Sequence, residues 1–365
     1  DEVIQGGFKI YTAYDARLQT IADEVYADSS FFPAAASDGT PIQSAMAVVD
    51  TNNGAVLAMI GGRDYTVRRG LNRATQMRRQ PGSALKPLAV YGPALELGYT
   101  TASVLLDEKT SFGGYTPRNA GDRYYGLVTM RTAIRNSLNT TAVRLLEEIG
   151  LDASIQYLNK MGIPTRNSDR NLSLALGSMT YGVTPVELAA AYVPYANGGI
   201  YHQPYCVERI ETVDGSNVYE RKDSGKQVLS AQNAFLMTSL LQSVVSSGTG
   251  TRMLAANTPI AGKTGTVSMT GGNRDIWMTA YTPEISVAVW MGYDQTDAKH
   301  KISNGITGGR NTASLAAAFF KNMKLLTEEG VPAPLGGLWN ASVVMEMLKN
   351  EKYAGDLLLQ KFYTN

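Results

Sequence analysis

Hydrophobic and polar positions recur along this chain with two periods, and the period changes in blocks. After Asp15, the residues Leu18, Ile21, Ala22, Val25 and Tyr26 fall at three- and four-residue spacing, which predicts an amphipathic helix with an aspartate N-cap within the first forty residues. A polar loop from Pro33 to Pro41 follows. The apolar runs 45–50 and 55–60 then flank Thr51-Asn52-Asn53-Gly54, two strand-length segments around an Asn-Gly turn signal, and predict a β-hairpin. The middle of the chain reads as mainly helical. Thr184-Pro185-Val186-Glu187 is a capping box with proline at the first helical position. Leu188, Ala189, Tyr192, Val193 and Ala196 supply the buried stripe, and Asn197-Gly198-Gly199 ends the helix. Ser230 opens another helix, expected to present Phe235, Leu236, Leu240, Leu241, Val244 and Val245 on one face before Gly248. Strand patterning returns from Ile260 to Val267 and from Asp275 to Asp294, the second run folding at Thr282-Pro283-Glu284. An alanine-rich helix from Thr312 to about Glu329 and a weakly patterned tail complete the chain.

A hairpin first, helices in the middle, then a hairpin and a helix: this segregation predicts an α+β fold rather than alternating βαβ units. The expected architecture is a central, mainly antiparallel sheet built from both chain ends and flanked by helices, with a mostly helical subdomain inserted in the middle. The expected division is 1–40 for a linker region and leading helix, 41–335 for the catalytic domain, and 336–365 for a tail.

Composition narrows the chemistry. The 365 residues carry 33 Lys plus Arg against 32 Asp plus Glu, a net charge of +1 that offers no electrostatic footprint for nucleic acid or an anionic membrane. No run approaches the roughly 20 apolar residues that span a bilayer, and the abrupt start at Asp1-Glu2-Val3-Ile4 reads like part of a longer chain. The single cysteine, Cys206, rules out an internal disulfide, and the two histidines, His202 and His300, are too few and too far apart for a zinc triad. No metal and no cofactor is expected. A serine nucleophile here needs a base other than histidine, and lysine is the substitute.

Three short motifs carry candidate chemistry. In Gly82-Ser83-Ala84-Leu85-Lys86, serine and lysine three apart share one helix face at a helix N-terminus, where backbone N–H groups favour negative charge. The lysine acts as a base only if burial or a neighbouring cation lowers its pKa. Pro87 is tolerable in the first turn, whereas Pro93 predicts a kink or an early end. Ser137-Leu138-Asn139 interrupts two helical runs, a joint that can project a hydroxyl and an amide into a cleft, although a capping turn uses the same residues. Lys263-Thr264-Gly265-Thr266 lies in a strand whose glycines, Gly262 and Gly265, mark close approach of another backbone; beside them, lysine and threonines could hold a carboxylate. Each motif alone is weak. Their joint occurrence in this order is the mark of penicillin-binding proteins and class A β-lactamases.

The flanking residues make the resemblance specific. Gly7-Phe8-Lys9-Ile10-Tyr11, Arg79-Gln80-Pro81-Gly82-Ser83, Tyr115-Thr116-Pro117-Arg118-Asn119, Leu174-Ala175-Leu176-Gly177, Ser247-Gly248-Thr249-Gly250 and Tyr281-Thr282-Pro283 are similar to segments of class A penicillin-binding proteins, from about Phe8 to Ala316. The resemblance implies a β-lactamase/transpeptidase-like fold and a peptidoglycan D,D-transpeptidase that β-lactams inhibit covalently. It implies Ser83 as nucleophile on the penultimate D-Ala carbonyl, Lys86 as its base, Ser137 as proton relay assisted by Lys263, and Asn139 as a ligand of the substrate amide. Lys263, Thr264 and Thr266, on the bare strand at Gly265, would hold the terminal carboxylate, and the backbone N–H groups of Ser83 and Thr266 would form the oxyanion hole. Its partners would be stem peptides (a D-Ala-D-Ala donor and an amine acceptor strand) and β-lactam antibiotics. It further implies an N-terminal glycosyltransferase domain and a membrane anchor outside these 365 residues, and work at the extracytoplasmic face of the bacterial cytoplasmic membrane.

Three rival readings share the motifs. A class A β-lactamase activates water with the glutamate of Glu-x-x-Leu-Asn; the comparable Leu158-Asn159 has Ile155 in that place, which argues against rapid deacylation. A D,D-carboxypeptidase uses the same residues with water as acceptor. A catalytically silent β-lactam sensor needs only acylation, but Lys86, Ser137 and Lys263 are all present.

Overall fold

Five antiparallel strands form the central sheet: β1 (Gln43–Asp50), β2 (Val56–Ile60), β3 (Ala261–Met269), β4 (Gly272–Tyr281) and β5 (Ile285–Gly292), in the spatial order β3-β4-β5-β1-β2. The structure, a computed structural model, describes residues 6–64, 67 and 69–328; the predicted tail lies outside the described residues. Both chain ends therefore build the sheet, as the two hairpin signals require. The ends join where β5 pairs β1, with Val287 opposite Val48 and Trp290 opposite Ala45.

Because successive strand side chains point to opposite faces, β1 divides the interior in two. Met46 and Val48 join Ile276, Met278, Val287 and Val289 under two helices, α1 (Ala16–Ala27) and the C-terminal α6 (Asn311–Glu328). Ala45, Ala47 and Val49 face the other way with Trp277 and Trp290, toward the inserted helices. Those include α2 (Met130–Arg135), α3 (Asn139–Ile149), α4 (Pro185–Ala196) and α5 (Ala231–Ser247). Asp15 caps α1 as predicted, its carboxylate accepting from the N–H groups of Arg17 and Leu18.

One predicted face is corrected. On α5 the buried positions are Ala234, Met237, Leu240, Leu241, Val244 and Val245, a true three-four stripe, whereas Phe235 is 72% exposed. Phe235 is one residue past Ala234, hence about 100° round the helix from the stripe. The inserted region also holds short strands that periodicity did not announce: Val207–Glu211 pairs with Lys9–Thr12 and with Asn217–Glu220, and Val104–Asp107 pairs with Gly126–Thr129.

The box at α4 is closed in both directions: Thr184 Oγ1 accepts from the Glu187 N–H at 3.1 Å, and Glu187 Oε2 accepts from the Thr184 N–H at 2.9 Å. We expect Thr184→Ala to cost about 1 kcal/mol, a fall of roughly 2 °C in melting temperature by calorimetry. An unchanged melting temperature would show that the cap contributes nothing.

Candidate active site

The first motif does not start a regular α-helix. Gly82–Leu85 is a 3-10 turn, Pro87–Tyr91 a π turn, and Gly92–Glu96 an α-helical end. The two prolines explain the sequence of forms: neither Pro87 nor Pro93 has an N–H to donate, so the Gly92 N–H reaches back five residues to the Pro87 carbonyl. In a 3-10 turn, positions three apart eclipse, which aligns Ser83 over Lys86 more directly than an α-helix would.

Glycines set the distance between this turn and the sheet. Gly82 has φ +56°, and a Cβ there would stand 2.7 Å from the Thr266 carbonyl oxygen and 3.1 Å from its nitrogen. From the opposite side, a Cβ on Gly265 would strike the Pro81 carbonyl oxygen and press to 3.1 Å on the Ala84 Cβ. Bare backbone on both partners thus brings Ser83 beside β3, an edge strand of the sheet, near Thr266. Upstream, Trp277 Nε1 donates to the Gln80 carbonyl at 2.9 Å and Gln80 Nε2 to the Met179 carbonyl at 3.0 Å, fixing the approach to the nucleophile turn.

The second motif is the turn after α2. The Leu138 N–H bonds the Ala133 carbonyl at 2.9 Å and the Ser137 N–H the Ile134 carbonyl at 3.1 Å, the paired 6→1 and 5→2 bonds of a Schellman ending. The left-handed position of that ending ordinarily holds glycine, yet here it is Ser137, at φ +56°. A non-glycine residue in this conformation is uncommon, which singles out Ser137 as a candidate functional position.

The lysines of the first and third motifs lie beneath that hydroxyl, both wholly buried. Lys263 Nζ donates to Ser137 Oγ at 2.9 Å and to the Thr264 carbonyl at 3.1 Å. Lys86 Nζ stands 3.3 Å from Ser137 Oγ, 2.6 Å from the Ser137 carbonyl, 2.9 Å from the Leu138 carbonyl and 2.7 Å from Asn139 Oδ1. Burial, and after it the nearby Lys263, push the Lys86 amine well below the ordinary lysine range, with Asp107 opposing. Burial alone brings Lys263 down to about 7. Two amines sharing one dry pocket cannot both stay charged without cost, so a neutral lysine is available near neutral pH.

The remaining candidates fall around this pair. Ser83 is half-buried, and its hydroxyl has no hydrogen-bond partner among the described residues. Asn139, the first residue of α3, accepts from Lys86 through Oδ1 and donates through Nδ2 to the Arg118 carbonyl at 2.7 Å, leaving one amide hydrogen. Thr264 Oγ1 lies 2.8 Å from Thr249 Oγ1, and Thr266 Oγ1 accepts from the Gly308 N–H at 3.3 Å. Sequence reasoning missed Asp107 as part of this surround: a fully buried carboxylate that accepts from Asn119 Nδ2 at 2.7 Å, the Tyr125 N–H at 2.9 Å and Thr140 Oγ1. Its only signal was a charge closing the apolar run Val104-Leu105-Leu106.

The arrangement offers a half-open hydroxyl, two buried amines bridged by a second hydroxyl, and an open strand edge: the parts for acyl transfer through a serine ester. Comparison with known proteins agrees. Residues 44–323 match the model of the penicillin binding protein transpeptidase domain. Penicillin-binding protein 1F of Bacillus subtilis is 42% identical over 336 residues, covering 90% of this chain and 44% of that protein. Penicillin-binding protein 1A of Clostridium botulinum is 36% identical over 310 residues, 80% of this chain and 37% of that protein. The chain thus spans less than half the length of these relatives. Among solved structures, the PonA1 protein of Mycobacterium tuberculosis in complex with penicillin V superposes with a TM-score of 0.74 at 25% identity, covering 88% of each chain.

Proposed function

The chain belongs to the penicillin-binding protein transpeptidase domain family, and from that premise we propose that it is a peptidoglycan D,D-transpeptidase with Ser83 as nucleophile. A stem peptide lies extended along the β3 edge at Gly265, its terminal carboxylate held by Lys263, Thr264 and Thr266. Ser83 Oγ attacks the penultimate D-Ala carbonyl carbon while its proton passes to the neutral amine of Lys86. The oxyanion sits on the N–H groups of Ser83 and Thr266, each donor worth about 3–4 kcal/mol in such a site. Asn139 orients the substrate amide with its free amide hydrogen and keeps Lys86 in place with its oxygen. Collapse of the intermediate breaks the peptide bond, and the departing D-Ala nitrogen takes a proton through Ser137. An acceptor amine then attacks the Ser83 ester and gives up its proton as the cross-link forms and the serine is restored. A β-lactam acylates Ser83 in the same way, its ring opening instead of a leaving group departing.

The observation that carries this reading is the position of Ser137 Oγ, 3.3 Å from one buried amine and 2.9 Å from the other, so that a proton can move between the two lysines through it. Release of D-Ala from a D-Ala-D-Ala stem-peptide mimic, measured with and without an amine acceptor, tests it. Transfer predicts a peptide-linked product that grows with acceptor concentration. Hydrolysis alone would make the protein a carboxypeptidase, and acylation by penicillin with no D-Ala release would make it a sensor. For the whole protein we propose the arrangement that the class A resemblance implies: a glycosyltransferase domain and a membrane anchor that hold this domain at the outer face of the cytoplasmic membrane.

A further inference from the structure

Asp107 ends the strand Val104–Asp107 at zero exposure, and among the described residues no cation pairs with it directly. A buried carboxylate without a counter-charge is costly, so its charge must be balanced nearby. Three consecutive hydrogen-bonded steps run from it to the lysine pocket. Asn119 Nδ2 donates to Asp107 Oδ1 at 2.7 Å, the Asn139 N–H donates to Asn119 Oδ1 at 2.7 Å, and Lys86 Nζ donates to Asn139 Oδ1 at 2.7 Å. All three protein donors to Asp107 are neutral (Asn119, Thr140 and the Tyr125 N–H), and none can supply a positive charge.

The buried set is therefore two amines and one carboxylate. We propose that Asp107 is the buried counter-charge of the lysine pair: between the two limbs of the pH profile it favours one shared proton, so that one amine is a base while the other is a cation. It is a positioning residue that acts through Lys86 and Lys263 and touches no substrate. The inference rests on the transpeptidase reading, because that reading needs one lysine neutral and the other charged. Among the described residues, buried Tyr91 also feels Asp107, and burial keeps it protonated and uncharged; Tyr124, only partly buried, feels Asp107 too but gives its hydroxyl to Asp122. The direction in which Asp107 moves Lys86, upward against burial and against Lys263, agrees.

A purely structural Asp107 would only fasten the start of α3, where Asn119 Oδ1 also accepts from the Asn139 and Thr140 N–H groups. The pH profile of Ser83 acylation by a chromogenic β-lactam separates the roles. Removing the anion lowers both amine pKa values, so Asp107→Asn should move both limbs of the profile to lower pH by about one unit. Thr140→Val, which removes a neutral hydrogen bond and keeps the charge, should slow acylation without moving either limb. A profile for Asp107→Asn that is lowered but not displaced would overturn the proposal. Should Asp107→Asn unfold, stability decides: the charge account expects it to be rescued in a Lys263→Met background, and equal loss of fold in both backgrounds refutes it. Absence of any label on Ser83 in the parent enzyme would instead count against the transpeptidase reading.

Discussion

Substituting alanine for Ser83 should remove the covalent adduct with penicillin completely and leave the melting temperature unchanged. The first half follows from chemistry: the adduct is an ester of one hydroxyl, and alanine has none. The second follows from the surroundings, since the Ser83 hydroxyl bonds nothing among the described residues and is only half-buried. Deleting it leaves no buried partner unsatisfied, the usual source of a stability loss when a polar side chain is removed. Intact-protein mass spectrometry after incubation with a penicillin reads the first outcome and calorimetry the second. A full adduct on the alanine variant would move the nucleophile elsewhere, with Ser137, already in contact with both amines, the first alternative to map by peptide digestion.

Much of this was legible in the chain before any coordinates. The β1–β2 hairpin, the capping box at Thr184 and the strand carrying Lys263 rest on local signals, and local signals are what a sequence displays openly. The glycines of the Lys263 strand also announced a close backbone, and Gly265 does abut Pro81. Three features were not legible, each for a physical reason. The pairing of Lys9–Thr12 with Val207–Glu211 joins segments about two hundred residues apart, and neither is long enough to show a period. The left-handed Ser137 breaks the glycine rule at helix ends, and no rule read from local preference foresees its own exception. Asp107 looks like an ordinary charge after a strand; its burial depends on Asn119, Tyr125 and Thr140 converging from three places.

The convergence of the three motifs is a tertiary fact that the chain could suggest only through their order. What the structure adds is a division of labour between two similar amines. Lys86 stands under the nucleophile turn and is held by oxygens of the Ser137–Asn139 segment, while Lys263 is on the strand edge where an extended peptide would lie. On the proposed reading, position rather than burial distinguishes the base from the cation, since both side chains are equally buried.

Lys86→Met is where this division has its largest consequence. Methionine fills a similar volume without an amine, so the pocket stays packed while the base is lost. Acylation of Ser83 should slow by about 10²–10⁴, the usual worth of a positioned general base. The variant should also lose roughly 1–3 kcal/mol of stability, because the Ser137 and Leu138 carbonyls and Asn139 Oδ1 lose a buried donor. The pH profile is more specific. In the parent enzyme the rate should rise with pH as Lys86 loses its proton, below the ordinary lysine range because burial and Lys263 depress it. It should fall again as Lys263, depressed by burial to about 7, loses the charge proposed to attract the carboxylate. Lys86→Met should keep the alkaline fall and lose the acid rise, whereas Lys263→Met should do the reverse. If the acid rise survives in Lys86→Met and vanishes in Lys263→Met, the two lysines exchange roles, and the base that activates Ser83 reaches it from the strand through Ser137.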